Sequence, residues 1–167
     1  MLSSNGLQPY ARSAGDSMPN GESATLVYHG QLYTFFATGQ DTGGQITFFE
    51  GGGRRGAGPP PHIHTKEDEG IYVAEGKITV YVADQRIEAS AGTFAFLPRG
   101  IEHWFTIESE IAKLLAFVTP GGHDGLFRCV GEPVTDLTIP SMPEGPPDLV
   151  KLKEAGDKYG IIFPRMK

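Results

Sequence analysis

The sequence predicts an all-β protein, an antiparallel sandwich or barrel with a short helical tail. Three observations lead there. Between Ala24 and Val118 the chain is a succession of some ten short β-branched and aromatic runs, about six to twelve residues apart. Gly (23) and Pro (13) make up about a fifth of the 167 residues. Their usual combined share is roughly an eighth, and here they fall as punctuation between the runs. No helical spacing of apolar residues appears before Pro120. Short, evenly spaced strands with turn residues between them are the pattern of antiparallel sheets that fold back on themselves.

Taken in order, residues 1–23 are polar and form an N-terminal arm, with Leu2, Leu7, Tyr10 and Met18 as candidate anchors on this barrel or on a neighbour. Residues 24–120 form the barrel. Ala24–Tyr28 and Gln31–Thr38 read as strands around a His29-Gly30 turn, and Gln45–Glu50 follows. Gly51–Gly58 reads as a flexible loop carrying Arg54 and Arg55, two cations that would be solvated or would stand at a pocket mouth. It lacks the lysine and Ser/Thr of a phosphate loop. Pro59-Pro60-Pro61 stiffens the approach to His62 by fixing φ. Strands are then expected at Ile71–Ala74, Lys77–Ala83, Arg86–Ala89, Thr93–Leu97, Glu102–Ile107 and Ile111–Val118. Residues 121–167 form a tail with one or two short helices: Gly122–Gly131, with Asp124 early and Leu126, Phe127 and Val130 inward, and Pro146–Tyr159, with Pro147 in its first turn.

Composition excludes several classes. A net charge of −6 argues against a nucleic-acid partner held by phosphate neutralisation. The single cysteine, Cys129, forbids an internal disulfide framework, fits a reducing compartment and reads as a buried filler. No run approaches the roughly 18 apolar residues of a membrane helix, and the first residues lack a secretory signal. The expectation is a soluble, cytoplasmic protein with no membrane partner.

The chemistry concentrates in two stretches. His62 and His64 are two apart, so on a strand both side chains leave one face, and Glu69 follows across a short charged connection. His103 opens a later strand behind the turn Pro98-Arg99-Gly100. If the two strands pair, three imidazoles and a carboxylate converge inside the barrel. That donor set suits one divalent transition metal, Fe, Ni, Mn, Co or Zn, with one or two positions open. His29 and His123 lie outside both stretches and read as surface histidines.

These stretches resemble the two motifs of the cupin superfamily. Gly56, His62, His64, Glu69 and Gly76 match every element of the first; Gly92, Pro98, Gly100 and His103 match the second, where Ile107 replaces a frequent Asn. The resemblance spans about Gln45 to Val118. It implies a cupin double-stranded β-helix, or jelly-roll barrel, with His62, His64, Glu69 and His103 as metal ligands. The run from Pro59 to Glu69 and the tail look like small single-domain quercetinases. That likeness implies a dioxygenase acting on a flavonol or related aromatic enol with O2, in which Glu69 is both ligand and base. It also implies a homodimer, which an exposed N-terminal arm could serve by strand exchange.

Alternation from His103 and Glu69 places Phe105, Ile107, Ile71 and Val73 on the ligand face. Phe94, Phe96 and Phe48 are candidate aromatic walls, with Phe35 or Phe36 a further one; Trp104 and Tyr72 alternate outward. The competing functions are a non-redox cupin (isomerase, cyclase, decarboxylase or lyase) acting on a polyketide or other small molecule, and a binding module without turnover.

Overall fold

A computed structural model of the chain describes residues 7 and 9–166. In chain order its elements are β1 (Thr25–Tyr28), β2 (Gln31–Ala37), β3 (Thr47–Arg54), β4 (Ile63–His64), β5 (Asp68–Glu75), β6 (Lys77–Val82), β7 (Gln85–Ser90), β8 (Phe94–Leu97), β9 (His103–Ile107), β10 (Ile111–Thr119), α1 (Asp124–Val130), β11 (Glu132–Pro133), α2 (Leu149–Tyr159) and β12 (Ile161–Ile162). A seven-stranded sheet runs β11-β1-β2-β3-β10-β5-β8, a three-stranded sheet runs β7-β6-β9, and β12 pairs with β4. The strand pairs are antiparallel. This is the jelly-roll arrangement the sequence predicts.

The two larger sheets share one core. Phe35, Ile71, Val73, Leu114 and Val118 enter it from the seven-stranded sheet, and Ile78, Val80 and Ile107 from the three-stranded one. Strand β10 shows why the pattern works. Ala112, Leu114, Ala116 and Val118 are buried, and the residues between them are only partly covered. A period of two puts one face against the core, where each large apolar side chain contributes about 1.5–3 kcal/mol.

Two expectations need correction. Gly51-Gly52-Gly53 is not a flexible loop but the buried second half of β3, paired with β2 on one side and β10 on the other. At Gly53 a Cβ would come within 2.9 Å of the Ile107 side chain, so the missing side chain is what lets the strand pass so close to β9. Arg54 ends this strand opposite Ile111, whereas Glu69 lies opposite Val118. The two arginines therefore sit at the far end of the barrel from the histidines.

The tail is also more than a cover of helices. Its two-residue strands β11 and β12 join β1 and β4, with Ile161 opposite His64. Such short strands carry no alternation for a sequence reading to detect. Helix α2 starts after Pro147, because the Asp148 side chain caps it by accepting from Lys151 N at 3.0 Å. It buries Leu152, Ala155 and Gly156 and leaves Leu149 exposed. Leu152 and Ala155, with Leu126, Val130 and Ile161, form a second apolar cluster, against which Cys129 is only half-buried.

The described part of the arm packs on its own barrel. Arg12 makes a two-pronged bond with Asp41 at 2.8 and 3.2 Å, Tyr10 donates to the Phe36 carbonyl, and Met18 is buried. The candidate anchor Leu2 lies outside the described residues. Among the described residues, no helix is long and apolar enough to cross a membrane.

Candidate metal centre

His62 and His103 face each other across an antiparallel bridge and exchange both backbone bonds, at 3.1 and 2.9 Å. That bridge joins the strand after the proline run to the strand after the Pro98-Arg99-Gly100 turn. His64, two residues on, presents the same face, and Glu69 enters from β5. One potential ligand atom from each of His62, His64, Glu69 and His103 lies within 4.8 Å of the other three, and all four residues are buried. Glu69 Oε2 is 3.3 Å from His103 Nε2 and 3.5 Å from His64 Nε2. The His64 and His103 rings are nearly parallel, with centroids 5.3 Å apart.

The hydrogen bonds settle two tautomers. His62 Nδ1 is 2.9 Å from the Pro60 carbonyl, and His103 Nδ1 is 2.9 Å from the Ile101 carbonyl. A carbonyl only accepts, so each Nδ1 carries the proton and each Nε2 lone pair is free for a metal. His64 is buried with both ring nitrogens lacking a hydrogen-bond partner among the described residues. Orphaned imidazole nitrogens beside a carboxylate are costly unless something binds them. A divalent cation fits this donor set.

The electrostatics agree. Burial, with His103 and His64 beside it, pushes His62 down to about 3. Burial alone would raise Glu69, but the bond to His103 and the neighbouring imidazoles outweigh it and hold the carboxyl at about 2. Burial works against a proton on His103 too, yet Glu69 raises it. In the metal-free site Glu69 therefore favours a proton on His103, and His62 is neutral.

His123 overturns its expectation. It is buried, with its ring centroid 4.7 Å from that of His64 and its Nδ1 unpartnered among the described residues. Burial and then His64 push it well below an ordinary histidine, so it is neutral. Asp124 does the placing: its Oδ1 accepts from Gly39 N and Thr47 Oγ1, which ties the start of α1 to the barrel. No motif flags His123. The only sequence signal was its position just after the last barrel strand.

A cavity of about 50 Å³ adjoins Glu69, lined also by His62, Ile71, Phe105, Phe49 and His123. A second of about 50 Å³ lies outside it, between Tyr28, Pro60, Leu152, Ile161 and Phe163. Both share Gln31, Tyr33, Pro59, His62, His123 and Phe127 as a common wall. Of the expected pocket residues, Ile71 and Phe105 line the inner cavity. Val73 and Ile107 face inward but are packed in the core away from it. Phe94 and Phe96 point out, 53% and 54% exposed. The register explains this: Glu69 opposes Leu97 and Ile71 opposes Ala95, so Leu97 and Ala95 share the inner face. Phe48 faces out against Phe36, and its neighbour Phe49 takes the inner place beside Phe35. Trp104 stacks on Tyr81 at 4.6 Å outside the barrel, and Tyr72 is exposed. His29 is half-buried at the rim of the outer cavity.

The sequence matches the family model for the Cupin domain over residues 54–118, the segment that carries all four potential ligands. Residues 54–118 are therefore a cupin domain. A solved RmlC-like cupin from Shewanella frigidimarina has the same fold, with a TM-score of 0.54 at 18% identity over 69% of this chain and 98% of that one. Among curated proteins, the chain is similar to a quercetin 2,3-dioxygenase of Bacillus subtilis, 27% identical over 127 residues, 76% of this chain and 38% of the relative. It is also similar to one of Aspergillus japonicus, 30% identical over 115 residues, 65% of this chain and 33% of the relative. The chain thus spans about a third of the length of these relatives.

Proposed function

We propose that this cupin is a metal-dependent dioxygenase acting on an enol-type aromatic such as a flavonol. The observation that carries the reading is Glu69, a buried ionised carboxylate set between imidazoles and facing a cavity walled by Phe49, Phe105 and Ile71. A bound divalent metal supplies a positive centre that favours the ionised form of an enol hydroxyl, and electron exchange with O2 where the metal is redox-active. His62, His64 and His103 hold that centre through Nε2. Glu69 accepts the proton of the enol hydroxyl, leaving an enolate and a neutral carboxyl group. Phe49 and Phe105 orient a flat ring and exclude water from the enolate. The likeness to two quercetin 2,3-dioxygenases supports the substrate class.

The cavity dimensions favour a second reading. Ordinary ligand pockets have roughly 300 Å³ or more, and each cavity here has about 50 Å³. Either the tail moves to admit a flavonol, or the substrate is smaller and the chemistry is the non-redox kind, an isomerase, cyclase, decarboxylase or lyase. Oxygen uptake by protein loaded with Fe(II), Ni(II), Mn(II) or Co(II), assayed against a panel of flavonols and polyketide enols, separates them. Uptake abolished by Glu69→Gln supports the dioxygenase. Turnover that persists without oxygen, with Zn(II) as competent as Fe(II), replaces it with the second reading.

We also propose that two copies pair. The described arm residues are bonded to their own chain, so the better surface is the outer face of β5 and β8. There Tyr72, Phe94 and Phe96 lie exposed together, and β8 is an open sheet edge.

A further inference from the structure

Each imidazole in the cluster needs a partner for the nitrogen that does not face the centre. For His62 and His103 that partner is a backbone carbonyl at 2.9 Å. His64 has no carbonyl within reach among the described residues. Its Nδ1 faces Oε2 of Glu67, 3.5 Å away. That gap is too long for a good hydrogen bond, yet both atoms are buried and neither has another partner among the described residues. The neighbouring acid, Asp68, is engaged differently: it turns outward and binds Arg99 at 2.7 Å. Glu67 lies in the turn just before β5, and its Oε2 reaches the His64 ring from there. The His64 ring thus lies between two carboxylates, Glu67 at Nδ1 and Glu69 at Nε2.

We propose that Glu67 is the positioning residue for His64. Its carboxylate accepts a hydrogen bond from Nδ1–H and turns the Nε2 lone pair toward the centre, the role that the Pro60 and Ile101 carbonyls play for the other two histidines. An ionised acceptor also makes His64 a stronger donor than a carbonyl would. Glu67 is not itself a ligand. It stands outside the group of four whose atoms lie within 4.8 Å of one another, and it faces the nitrogen on the other side of the ring. This inference rests on the reading that the four residues hold a metal.

The test uses the full chain, zinc as a redox-inert probe, and two variants, Glu67→Ala and Glu67→Gln. Chelator competition measures the zinc dissociation constant, and histidine nitrogen NMR reports the tautomers. Glu67→Ala is expected to weaken zinc about 10- to 100-fold. Glu67→Gln, whose side-chain carbonyl still accepts from Nδ1, recovers part of that loss. The His64 nitrogen signals shift in Glu67→Ala, and those of His62 and His103 stay in place. Zinc affinity within twofold of wild type in both variants overturns the proposal, whether or not the melting temperature of the metal-free protein falls. A loss as deep as that of His103→Ala, with one nitrogen or oxygen neighbour fewer by X-ray absorption, also overturns it and makes Glu67 a ligand. Wild-type protein that takes up no zinc removes the metal reading itself. Wild-type binding matched by both variants removes only the role of Glu67.

Discussion

The wall that carries the four potential ligands and the wall that closes over them are built by different means. The first consists of strands tied to one another by backbone hydrogen bonds. Strand β5 lies between β10 and β8, and the His62–His103 bridge ties the remaining two elements together. The second is the tail, held by its own apolar cluster of Leu126, Val130, Leu152, Ala155 and Ile161, by a two-residue strand, and by the Arg165–Glu102 ion pair at the surface. Metal coordination tolerates little movement of its donors, so a continuous ladder suits it. A cover that must admit substrate is better made of a separately packed unit of lower local stability.

The sharpest way to break this comparison is to remove one donor. His103→Ala deletes an Nε2 and one side of the bond that holds Glu69. The expected result is loss of tight metal binding by about a thousandfold or more, since one of four donors goes and the buried Glu69 loses its bond to His103. Oxygen uptake disappears with it. Elemental analysis after dialysis against a weak chelator checks this; full metal retention would move the site elsewhere.

The next effect falls on the other wall. Leu152→Ala empties a fully buried position in the tail cluster, which ordinarily costs about 2–5 kcal/mol. If the tail is its own unit, that cost appears locally. Amide exchange accelerates in α2 and β12 and is unchanged in β5 and β10, and a flavonol gains access to the inner cavity. Equal acceleration in all four elements would show that tail and barrel unfold together.

The same contrast explains what could be read from the sequence. The ligand wall was legible because its constraints are local. His62 and His64 share a face by a two-residue period, the motif spacing places Glu69, and the turn at Pro98-Arg99-Gly100 delivers His103. Gly76 shows the physical content of such a motif: its φ is +83°, and a Cβ there would meet the Ile111 carbonyl. The closing wall was not legible because its constraints are distant. His123 is held beside the barrel where Asp124, at the start of α1, reaches Thr47 on β3, and Phe163 comes to 6.2 Å from the His62 ring where β12 pairs with β4. Aromatic walls were misassigned for a related reason. Alternation says that Phe48 and Phe49 face opposite ways, and only the register against Ala116 and Phe117 decides which is inside.

Acid tests whether the histidines at the junction of the two walls are neutral. Burial lowers His62 to about 3 and lowers His123 as well, from an ordinary value of about 6.5. Below pH about 6.5 the unfolded chain takes up protons that the fold refuses. Stability of the metal-free protein therefore falls with pH, by about 1.4 kcal/mol per unit for each such group. His103 has the opposite sign. Its raised pKa adds stability that is fully present below pH about 6.5 and is lost as pH rises through the folded value. The metal-free protein should be most stable near pH 6.5, and urea midpoints at pH 5, 6.5 and 8 check it. Greater stability at pH 5 than at 6.5 would mean that the buried imidazoles accept protons and that the site opens to water.

The smallest expected effect concerns the outer face, where the comparison between walls stops applying. Phe94 and Phe96 stand 53% and 54% exposed on the edge strand β8, and the Phe94 ring lies parallel to that of Phe117 at 6.2 Å. Replacing both with Ser removes little buried area in a single copy, and surface changes of this kind usually stay within about 0.5 kcal/mol each. The ligands are untouched, because Ala95 and Leu97, not the two phenylalanines, face Glu69 and Ile71. If two copies pair through this face, the double variant drops from twice 18.0 kDa to 18.0 kDa by light scattering, with metal content and melting temperature of the single copy preserved. If the wild type already scatters as one chain, the exposed aromatics serve some other contact, and each copy holds its complete ligand set without a neighbour.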